Sequence, residues 1–288
     1  LPAVFTAGDD TVNFDSYPAS TLLEGLYDAE GGNDHVTLPS NAQEASDINY
    51  DASNTFNAGI GNDTVIAGDL NDNIDLGSGD DTVEPGSGAN TIDGGADTDT
   101  LNYTNASAAV TIDLQNNNNA GFANGGSFSN FENVIGSDFN DVIIGNNASN
   151  SINAGSGNDS LQGGVGGDLL TGGAGSDLFI FTNISDSDPA FGSPNGDQII
   201  DFETLIDDID FTGFANGAGL TGASAWQTYA YAFPTVADPN MGFVSLTANS
   251  FHQFLQVDYN GDLTIDMVIQ LTGNGSLPPF DVSQDIIF

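Results

Sequence analysis

The sequence contains neither lysine nor arginine, and this absence limits what the protein can bind. It has 41 aspartate and glutamate residues, so its formal net charge at pH 7 is −41. No basic side chain is available to contact phosphate, which argues against nucleic acid and anionic membranes as partners. Multivalent cations are the obvious counter-charge. Adaptation to high salt would also explain the acidity, but not why so many aspartates recur at a fixed interval.

Cysteine is absent as well, and His35 and His252 are the only histidines. Disulfides, thiol nucleophiles and lysine Schiff bases are therefore excluded by composition. The sequence has no H-E-x-x-H zinc-protease motif and no G-x-S-x-G nucleophile elbow. Its acidic residues fall in motifs better explained as ligands than as the acid pair of a glycosidase. We therefore predict that this chain is not an enzyme, and that His35 is a surface residue.

Signals for export and membrane insertion are also missing. A signal peptide needs a basic n-region, so none is visible. Residues 211–237 carry no charge over a length that could cross a bilayer, but they are rich in Gly, Asn, Thr and Ser. We reject a transmembrane helix there for that reason. The chain begins at Leu1 rather than methionine, which leaves open a longer gene product.

What the sequence does have is a nine-residue period, kept through 59–102 and 136–180. In each period an apolar residue follows two positions after an acidic or amide residue. The acidic or amide positions are Asp63, Asp72, Asp81, Asn90, Asp99, Asp141, Asn150, Asp159, Asp168 and Asp177. The apolar positions are Val65, Ile74, Val83, Ile92, Leu101, Ile143, Ile152, Leu161, Leu170 and Phe179. A period kept this long predicts a solenoid.

Each period predicts one tight glycine turn and one very short strand with a single inward apolar residue. Two periods make one lap, so equivalent residues of successive laps stack about 4.8 Å apart. Asp63, Asp81 and Asp99 then line one edge. So little apolar surface does not offset the cost of ordering the backbone, and stacked carboxylates repel one another. Carboxylate and carbonyl oxygens are ligands that Ca²⁺ prefers, so we predict several calcium ions between the laps.

The units resemble the G-G-x-G-x-D-x-U-x nonapeptides of RTX (repeats-in-toxin) proteins, most closely at 154–162, 163–171 and 172–180. The resemblance implies an all-β fold, a right-handed parallel β-roll or β-helix with a C-terminal antiparallel β cap. It also implies calcium sites. The residues it assigns to them are Asp63, Asp72, Asp81, Asp99, Asp141, Asp159, Asp168, Asp177, Gly61, Gly79, Gly157, Gly166 and Gly175.

Several turns depart from the repeat. Leu70 and Asp97 stand in place of its third glycine, and Asn90 and Asn150 stand in place of its aspartate. We expect the sites at those turns to be weaker or absent.

The positions at which the repeat is regular divide the chain into three predicted segments. Residues 1–58 contain two diluted copies and are predicted to be an irregular start of the β-solenoid. Residues 59–181 form the roll, with a strand-like spacer at 103–135 that resembles the spacer of serralysin-type RTX cassettes. We favour one continuous coil with a wider lap over two independent domains. Residues 182–288 are the predicted β cap and secretion-signal region.

The last segment carries three further signals. The aromatic residues of 226–257 predict the core of a small terminal β-sandwich, which we favour over an exposed assembly surface. An Asn-Gly pair next predicts a hairpin turn. Oxygen-bearing side chains at Asp258, Asn260 and Asp262 there suggest a cation site, although the spacing is not that of an EF-hand. The acidic and apolar end, 281–288, resembles the uncleaved signal of type I secretion.

Two functions are consistent with these features. In the first, the chain is a secreted structural protein, a subunit of a surface layer, extracellular matrix or filament that folds and self-assembles on external Ca²⁺. Bacterial surface-layer proteins of the RTX type carry this resemblance. In the second, it is the calcium-binding folding and secretion cassette of a larger exported hydrolase or adhesin. Both place the protein outside the cell, and the first places it at the cell surface.

Overall fold

The computed structural model describes residues 5–16, 26–39, 55–69, 71–187, 196–203, 205–212, 226–229, 242–248, 253–258, 267–272 and 286–287. The chain divides into two compact units, Leu1–Asp138 and Phe139–Phe288. The three segments predicted from the sequence stay a prediction. Among the described residues, no helix combines the length and apolar character needed to cross a membrane.

The first unit consists of strands of two to four residues joined by tight turns. A 3₁₀ turn at Phe14–Ser16 interrupts the first lap. The strands among its described residues are β1 (Thr11–Asn13), β2 (Leu26–Asp28), β3 (His35–Thr37), β4 (Thr55–Asn57), β5 (Thr64–Ile66), β6 (Asn73–Asp75), β7 (Thr82–Glu84), β8 (Thr91–Asp93), β9 (Thr100–Asn102), β10 (Val110–Asp113), β11 (Ala120–Gly121), β12 (Ser127–Ser129) and β13 (Asn133–Ile135).

Successive strands of the first unit alternate between two parallel sheets. One sheet has the order β1-β3-β5-β7-β9-β13 and the other the order β12-β8-β6-β4-β2. Within the repeats, strands pair with a shift of two periods, so Val65 lies opposite Val83 and Val83 opposite Leu101. Each lap therefore contributes one strand to each sheet. This arrangement confirms the predicted parallel β-roll.

The spacer leaves the roll and then returns to it. Strands β10 and β11 form an antiparallel hairpin, with Val110 opposite Gly121. Afterwards β12 pairs in parallel with β8, and β13 pairs in parallel with β9. The spacer is therefore strand-like, as predicted, and it supplies the next strand of both sheets.

The second unit repeats the scheme. A 3₁₀ turn at Ile184–Asp186 follows its repeats, capped by Asn183. Its strands among the described residues are β14 (Val142–Ile144), β15 (Ser151–Asn153), β16 (Ser160–Gln162), β17 (Leu169–Thr171), β18 (Leu178–Ile180), β19 (Gln198–Ile199), β20 (Asp208–Asp210), β21 (Trp226–Tyr229), β22 (Gly242–Ala248), β23 (Gln253–Asp258), β24 (Met267–Leu271) and β25 (Ile286–Ile287).

The end of the second unit adds an antiparallel meander to the roll. Strands β22, β23 and β24 pair antiparallel, as the predicted cap requires. Two pairings differ from a purely antiparallel cap, because β24 pairs in parallel with β19 and β21 pairs in parallel with β22. The cap thus extends a sheet of the roll. Strand β25, in the segment that resembles a secretion signal, pairs in parallel with β20.

Strands β23 and β24 are consecutive and pair antiparallel, as a hairpin requires, with Val257 opposite Met267. The predicted Asn-Gly turn itself lies outside the described residues and stays a prediction. The aromatic side chains of 226–257 lie outside the described residues, so the terminal β-sandwich core stays a prediction.

The core consists of inward side chains between the two sheets. The middle residue of each repeat strand is buried, and Val65, Val83, Leu161 and Leu170 are fully inaccessible. A second buried apolar residue, such as Ala67 or Leu76, follows two positions later in several repeats. In the last repeat Phe179 packs against Phe202 with ring centroids 6.1 Å apart. Each repeat buries few apolar side chains, so each one matters for stability.

Truncating one inward side chain tests the core. Leu161→Ala is expected to lower the free energy of unfolding of the calcium-saturated protein by about 2–5 kcal/mol, because it leaves a cavity that rigid neighbours cannot fill. Ser160→Ala, the adjacent outward position on β16, should change it by no more than about 0.5 kcal/mol. Chemical denaturation in excess calcium measures both. Equal losses in the two variants would contradict the inward assignment of Leu161.

Candidate metal sites

The predicted metal-binding aspartates lie at the turns, each one residue before a strand. All of them are buried, with at most 3% of their surface exposed. These residues are Asp63, Asp72, Asp81, Asp99, Asp141, Asp159, Asp168 and Asp177. Burying so many carboxylates is unfavourable unless each one is paired, hydrogen-bonded or bound to a cation.

In the first unit, one oxygen of each such carboxylate bonds to the neighbouring lap. The backbone N–H of Asp63 donates to Oδ1 of Asp81 over 2.7 Å, and the N–H of Asp81 donates to Oδ1 of Asp99 over 2.9 Å. On the other edge, the N–H of Asp72 donates to Oδ1 of Asn90 over 2.8 Å. We call each such column of side-chain oxygens, which accept backbone N–H groups from the neighbouring lap, the aspartate ladder. Its two edges are those that the sequence period predicts.

The second unit contains the same ladder. The N–H of Asp141 donates to Oδ1 of Asp159 over 2.7 Å, and the N–H of Asp159 donates to Oδ1 of Asp177 over 2.9 Å. On the opposite edge the N–H of Asn150 donates to Oδ1 of Asp168 over 2.8 Å. These bonds use one oxygen of Asp159, Asp168 and Asp177 and link successive laps in register.

The second carboxylate oxygen has no such bond. Oδ2 is buried and makes no hydrogen bond to any described residue in six of the predicted aspartates, namely Asp63, Asp81, Asp99, Asp159, Asp168 and Asp177. An ionised oxygen buried in this way carries the full cost of its lost hydration. A cation at this oxygen would remove that cost, so the donor set fits Ca²⁺.

Asn90 shows which group lies opposite the unbonded Oδ2 of the aspartates, which we call the bare oxygen. In this side chain an amide nitrogen takes the second position, and Nδ2 donates to the carbonyl of Pro85, five residues earlier, over 2.7 Å. The equivalent oxygen of Asp99 lies against Gly94, and that of Asp168 lies against Gly163. A carboxylate oxygen cannot donate a hydrogen bond to a turn carbonyl. Turns with aspartate therefore lack the bond that closes the asparagine turn, and a metal ion shared by both oxygens would supply the link.

The turn glycines hold their carbonyls against the next lap. The predicted residues Gly61, Gly79, Gly157, Gly166 and Gly175 all have positive φ angles, between 126° and 155°. A Cβ atom on Gly79 would overlap the carbonyl oxygen of Gly61, and one on Gly175 would overlap that of Gly157. A side chain is therefore excluded by conformation and by space. These turns bring carbonyl oxygens, the second kind of ligand that Ca²⁺ prefers, next to the ladder.

Sequence reasoning assigned no role to the first glycine of the repeat. A Cβ atom on Gly94 would lie 2.8 Å from Oδ2 of Asp99, and one on Gly163 or Gly172 would overlap Oδ2 of the following aspartate. The first glycine leaves room for the bare oxygen. The first glycine of the G-G-x-G-x-D pattern was the sequence signal for this role.

Burial raises the pKa of the ladder carboxylates. The pKa of Asp81 rises to about 7, and the pKa of Asp63, Asp99, Asp159 and Asp168 rises to about 6. Loss of hydration is the largest cause, and the charges of neighbouring acids add to it, whereas the ladder N–H lowers the pKa. In the calcium-free fold these carboxyl groups therefore ionise at a higher pH than exposed aspartates do.

The ladder extends beyond the regular repeats. The N–H of Asp34 donates to Oδ1 of Asp63 over 2.7 Å, 29 residues further on. In the second unit Asp168 and Asp177 donate to Asp197 and Asp207 across laps of 29 and 30 residues. Sequence reasoning missed these positions because the longer laps break the nine-residue period. The run Gly31-Gly32-Asn33-Asp34 was the available signal for the first of them.

Two kinds of acid can be distinguished at these positions. Asp34 and Asp197 keep a buried, unbonded Oδ2, as the repeat aspartates do. At Asp10, by contrast, Oδ2 accepts hydrogen bonds from the N–H and hydroxyl of Thr6, over 2.6 and 3.0 Å. Oδ2 of Asp207 accepts the N–H of Glu203 over 2.8 Å. The ladder therefore ends where local donors satisfy the second oxygen.

Other predicted positions have a different outcome. Asn260 and Asp262 lie outside the described residues, as does the side chain of Asp258 at the end of β23. Within the described part of the chain, no group of three or more acidic or histidine side chains is close enough to form a metal site without backbone ligands. His35 is exposed on β3, as predicted.

Two known protein families match parts of this chain. The family described as "Peptidase M10 serralysin C terminal" matches residues 89–287, which is more than half of the chain. The chain belongs to this family. A second family, described as "RTX calcium-binding nonapeptide repeat (4 copies)", matches residues 49–83. Both matches confirm the resemblance drawn from the sequence, and the repeats are of a calcium-binding type. The matched part of serralysin is its C-terminal part rather than its peptidase domain.

Among solved structures, the chain is similar to the AlgE6R3 subunit from the Azotobacter vinelandii mannuronan C5-epimerase, known from a solution structure. The two are 27% identical, and the match covers 53% of this chain and 80% of that one, with a TM-score of 0.30. A comparison with curated proteins gives no match.

The difference between Asp34 and Asp10 generates a calcium-binding prediction. Asp34→Asn keeps the ladder acceptor but replaces the bare oxygen with an amide, as in Asn90, and should weaken calcium binding at one site by about tenfold or more. Asp10→Asn should leave calcium binding unchanged, because Thr6 already satisfies that oxygen. Titration against a chromophoric chelator measures both variants. Equal weakening in the two variants would contradict the distinction.

The raised pKa values generate a pH prediction. Since the pKa of these carboxyl groups is about 6 to 7 in the calcium-free fold and 3.8 for an ordinary aspartate, the folded chain binds more protons than the unfolded chain between those pH values. The calcium-free fold is therefore most stable below pH 4 and loses that contribution as pH rises through 6 to 7.

We expect acidification to increase the β signal of the metal-stripped protein in circular dichroism. In contrast, acidification should lower calcium affinity, because protons and calcium compete for the same oxygens. A β signal of the stripped protein that does not change between neutral and mildly acidic pH would contradict the burial of these carboxyls without a counter-charge.

Proposed function

We propose that the chain is a secreted structural protein that folds on binding several calcium ions outside the cell and assembles into a surface layer, extracellular matrix or filament. One observation carries the calcium-dependent part of this proposal. The ladder leaves a buried carboxylate oxygen bare at turn after turn, including Asp81, Asp159 and Asp177. An ion at each such turn would link neighbouring laps where no protein group can.

The ligands at each site would be the bare Oδ2 of the ladder aspartate together with turn carbonyls of the kind that Gly61, Gly79, Gly157, Gly166 and Gly175 supply. Calcium supplies positive charge and accepts six to eight oxygen ligands at flexible positions. We extend the proposal to Asp72 and Asp141, which occupy the same position of the repeat, and to Asp258, Asn260 and Asp262.

The proposed mechanism couples folding to location. Where free calcium is scarce, ionised carboxylates oppose closure of the laps and the chain stays extended enough to be exported. Where calcium is abundant, binding free energy becomes folding free energy. The match to RTX repeats and to the serralysin C-terminal family supports an exported protein.

Support for the structural role comes from open sheet edges. Among the described strands, β1 and β2 are each the last strand of their sheet in the first unit. An unpaired strand edge is a template for pairing with another chain.

A second candidate function is favoured by the family match. The region 89–287 matches the C-terminal part of a peptidase, so the chain is also suited to be the folding and secretion cassette of a larger exported hydrolase or adhesin. The intact mass of the native gene product distinguishes the two functions. A catalytic domain attached to this chain would favour the cassette and contradict a solely structural role.

Removal and return of calcium test the proposal directly. Exhaustive chelation at neutral pH should abolish the β signal in circular dichroism, calcium should restore it, and magnesium should restore it poorly because it demands a smaller, stricter site. Electron microscopy of the same samples should show layers or filaments only with calcium. Full β structure after chelation would contradict calcium-dependent folding. Folded but monomeric protein at every concentration would contradict the structural role alone.

A further inference from the structure

The spacer returns to the roll through a turn that is shorter than the repeat turns. Residues 94–99 connect β8 to β9, whereas residues 130–132 connect β12 to β13. Phe131, at the centre of the short turn, is buried. Because β12 pairs with β8 and β13 pairs with β9, the short turn lies directly against the repeat turn that ends in Asp99.

Glu132 occupies the ladder position of this short turn. The N–H of Asn133 donates to the carbonyl of Asp99 over 2.9 Å, as the N–H of Thr100 does to the carbonyl of Asp81 over 2.8 Å. The N–H of Asp99 donates to Oε2 of Glu132 over 3.0 Å, just as the N–H of Asp81 donates to Oδ1 of Asp99. Glu132 is therefore a member of the aspartate ladder, 33 residues beyond Asp99.

The carboxylate of Asp99 faces this glutamate with its bare oxygen still unbonded. Asp99 is fully buried, and its Oδ2 makes no hydrogen bond to any described residue. Burial raises the pKa of Asp99 most, and among the neighbouring acids the charge of Glu132 raises it most. Two neighbouring carboxylates of this kind need a counter-charge, and the chain has no lysine or arginine to supply it.

A backbone carbonyl adds a third oxygen at the same place. A Cβ atom on Gly94 would overlap the carbonyl oxygen of Asn130 and would lie 2.8 Å from Oδ2 of Asp99. The two oxygens therefore flank one point beside Gly94. In the second unit the carbonyl oxygen of Gly163 lies in the same way against Gly145. Asn130 thus takes the place that a repeat glycine has in a regular lap.

The two turns hold these groups in position although neither matches the repeat. Asn130 has a φ of 56°, a left-handed conformation that asparagine tolerates, and its Nδ2 donates to Oδ1 of Asp93 over 2.6 Å. Asp97, which stands in place of the third glycine, has a φ of 83° and so keeps the positive φ of that position. The sequence pattern predicts a weaker or absent site at this turn, but it takes no account of a second carboxylate from the spacer.

We propose that the carboxylate of Glu132, Oδ2 of Asp99 and the carbonyl oxygen of Asn130 bind one calcium ion, which ties the returning spacer to the last regular turn of the first unit. Two carboxylates and a carbonyl are ligands that Ca²⁺ prefers, and water completes its six to eight positions. This inference rests on the proposed calcium-dependent folding, and it adds a ligand from outside the nonapeptide repeats.

Counting the calcium ions bound to the full chain tests the proposal. Metal-stripped protein is dialysed against the lowest calcium concentration that saturates the unchanged chain, and bound calcium is measured per chain. Glu132→Gln keeps an oxygen that can accept the N–H of Asp99 but removes the charge, so it should bind one ion fewer. Glu84→Gln, the same change at an outward position of β7, should bind the full number.

A double variant shows whether the two carboxylates share the ion. Asp99→Asn keeps the ladder acceptor and supplies an amide that can bond to a turn carbonyl, as in Asn90, so it should fold and bind one ion fewer. Glu132→Gln combined with Asp99→Asn should also bind one ion fewer rather than two, because the two changes remove the same ion. Circular dichroism in excess calcium checks the fold of each variant.

A conservative variant separates charge from shape at position 132. Glu132→Asp keeps the carboxylate and should bind the full number of ions, with the affinity of one site lowered severalfold. A fold that is lost in Glu132→Gln but kept with all its ions in Glu132→Asp would also support the proposal. Equal ion numbers in these two variants would contradict it.

Two further results would overturn the proposal. A full number of ions in Glu132→Gln would show that Glu132 only accepts the N–H of Asp99 or shares a proton with its carboxylate. A double variant that lacks two ions would show that the carboxylates hold separate ions. Either result leaves the calcium-dependent folding of the unchanged chain intact, because chelation tests that folding separately.

Discussion

The structure depends on a carboxylate that is half satisfied. At the turns of Asp63, Asp81, Asp99, Asp159, Asp168 and Asp177, one oxygen of the aspartate receives the backbone N–H of the neighbouring lap, as Asp81 does from Asp63. The other oxygen is buried and accepts no hydrogen bond from any described residue. The first interaction sets the lap spacing and the register of the strands. The second leaves a negative charge that the protein, having no lysine or arginine, cannot neutralise by itself. We therefore propose that stability depends on a cation from the surroundings.

The glycines of the repeat follow from the same constraint. Gly79 allows the carbonyl of the preceding lap to lie against its Cα, and Gly163 leaves room for the bare oxygen of Asp168. Asn90 is the exception that clarifies the rule, because its amide bonds to the carbonyl of Pro85 and closes the turn without a metal. At Asn90, a nitrogen in place of an oxygen therefore supplies the bond that the unbonded Oδ2 of Asp99 or Asp168 cannot make.

The parallel roll and the two edges of aspartates could be predicted from the sequence, because a nine-residue period fixes which residues stack. Asp63, Asp81 and Asp99 illustrate this. The prediction failed to include Asp34, Asp197 and Asp207, because pairing across laps of 29 or 30 residues depends on insertions whose length carries no periodic signal.

Strand β25 gives the fold a dependence on the far end of the described chain. Ile286 and Ile287 pair with β20 and cover an edge that would otherwise present unpaired backbone groups. Strand β25 is the last described strand of that sheet, so clipping the protein before these two residues would move the open edge from β25 to β20. A protease acting at the tail would thus change which backbone groups the sheet exposes without touching the aspartate turns of the repeats.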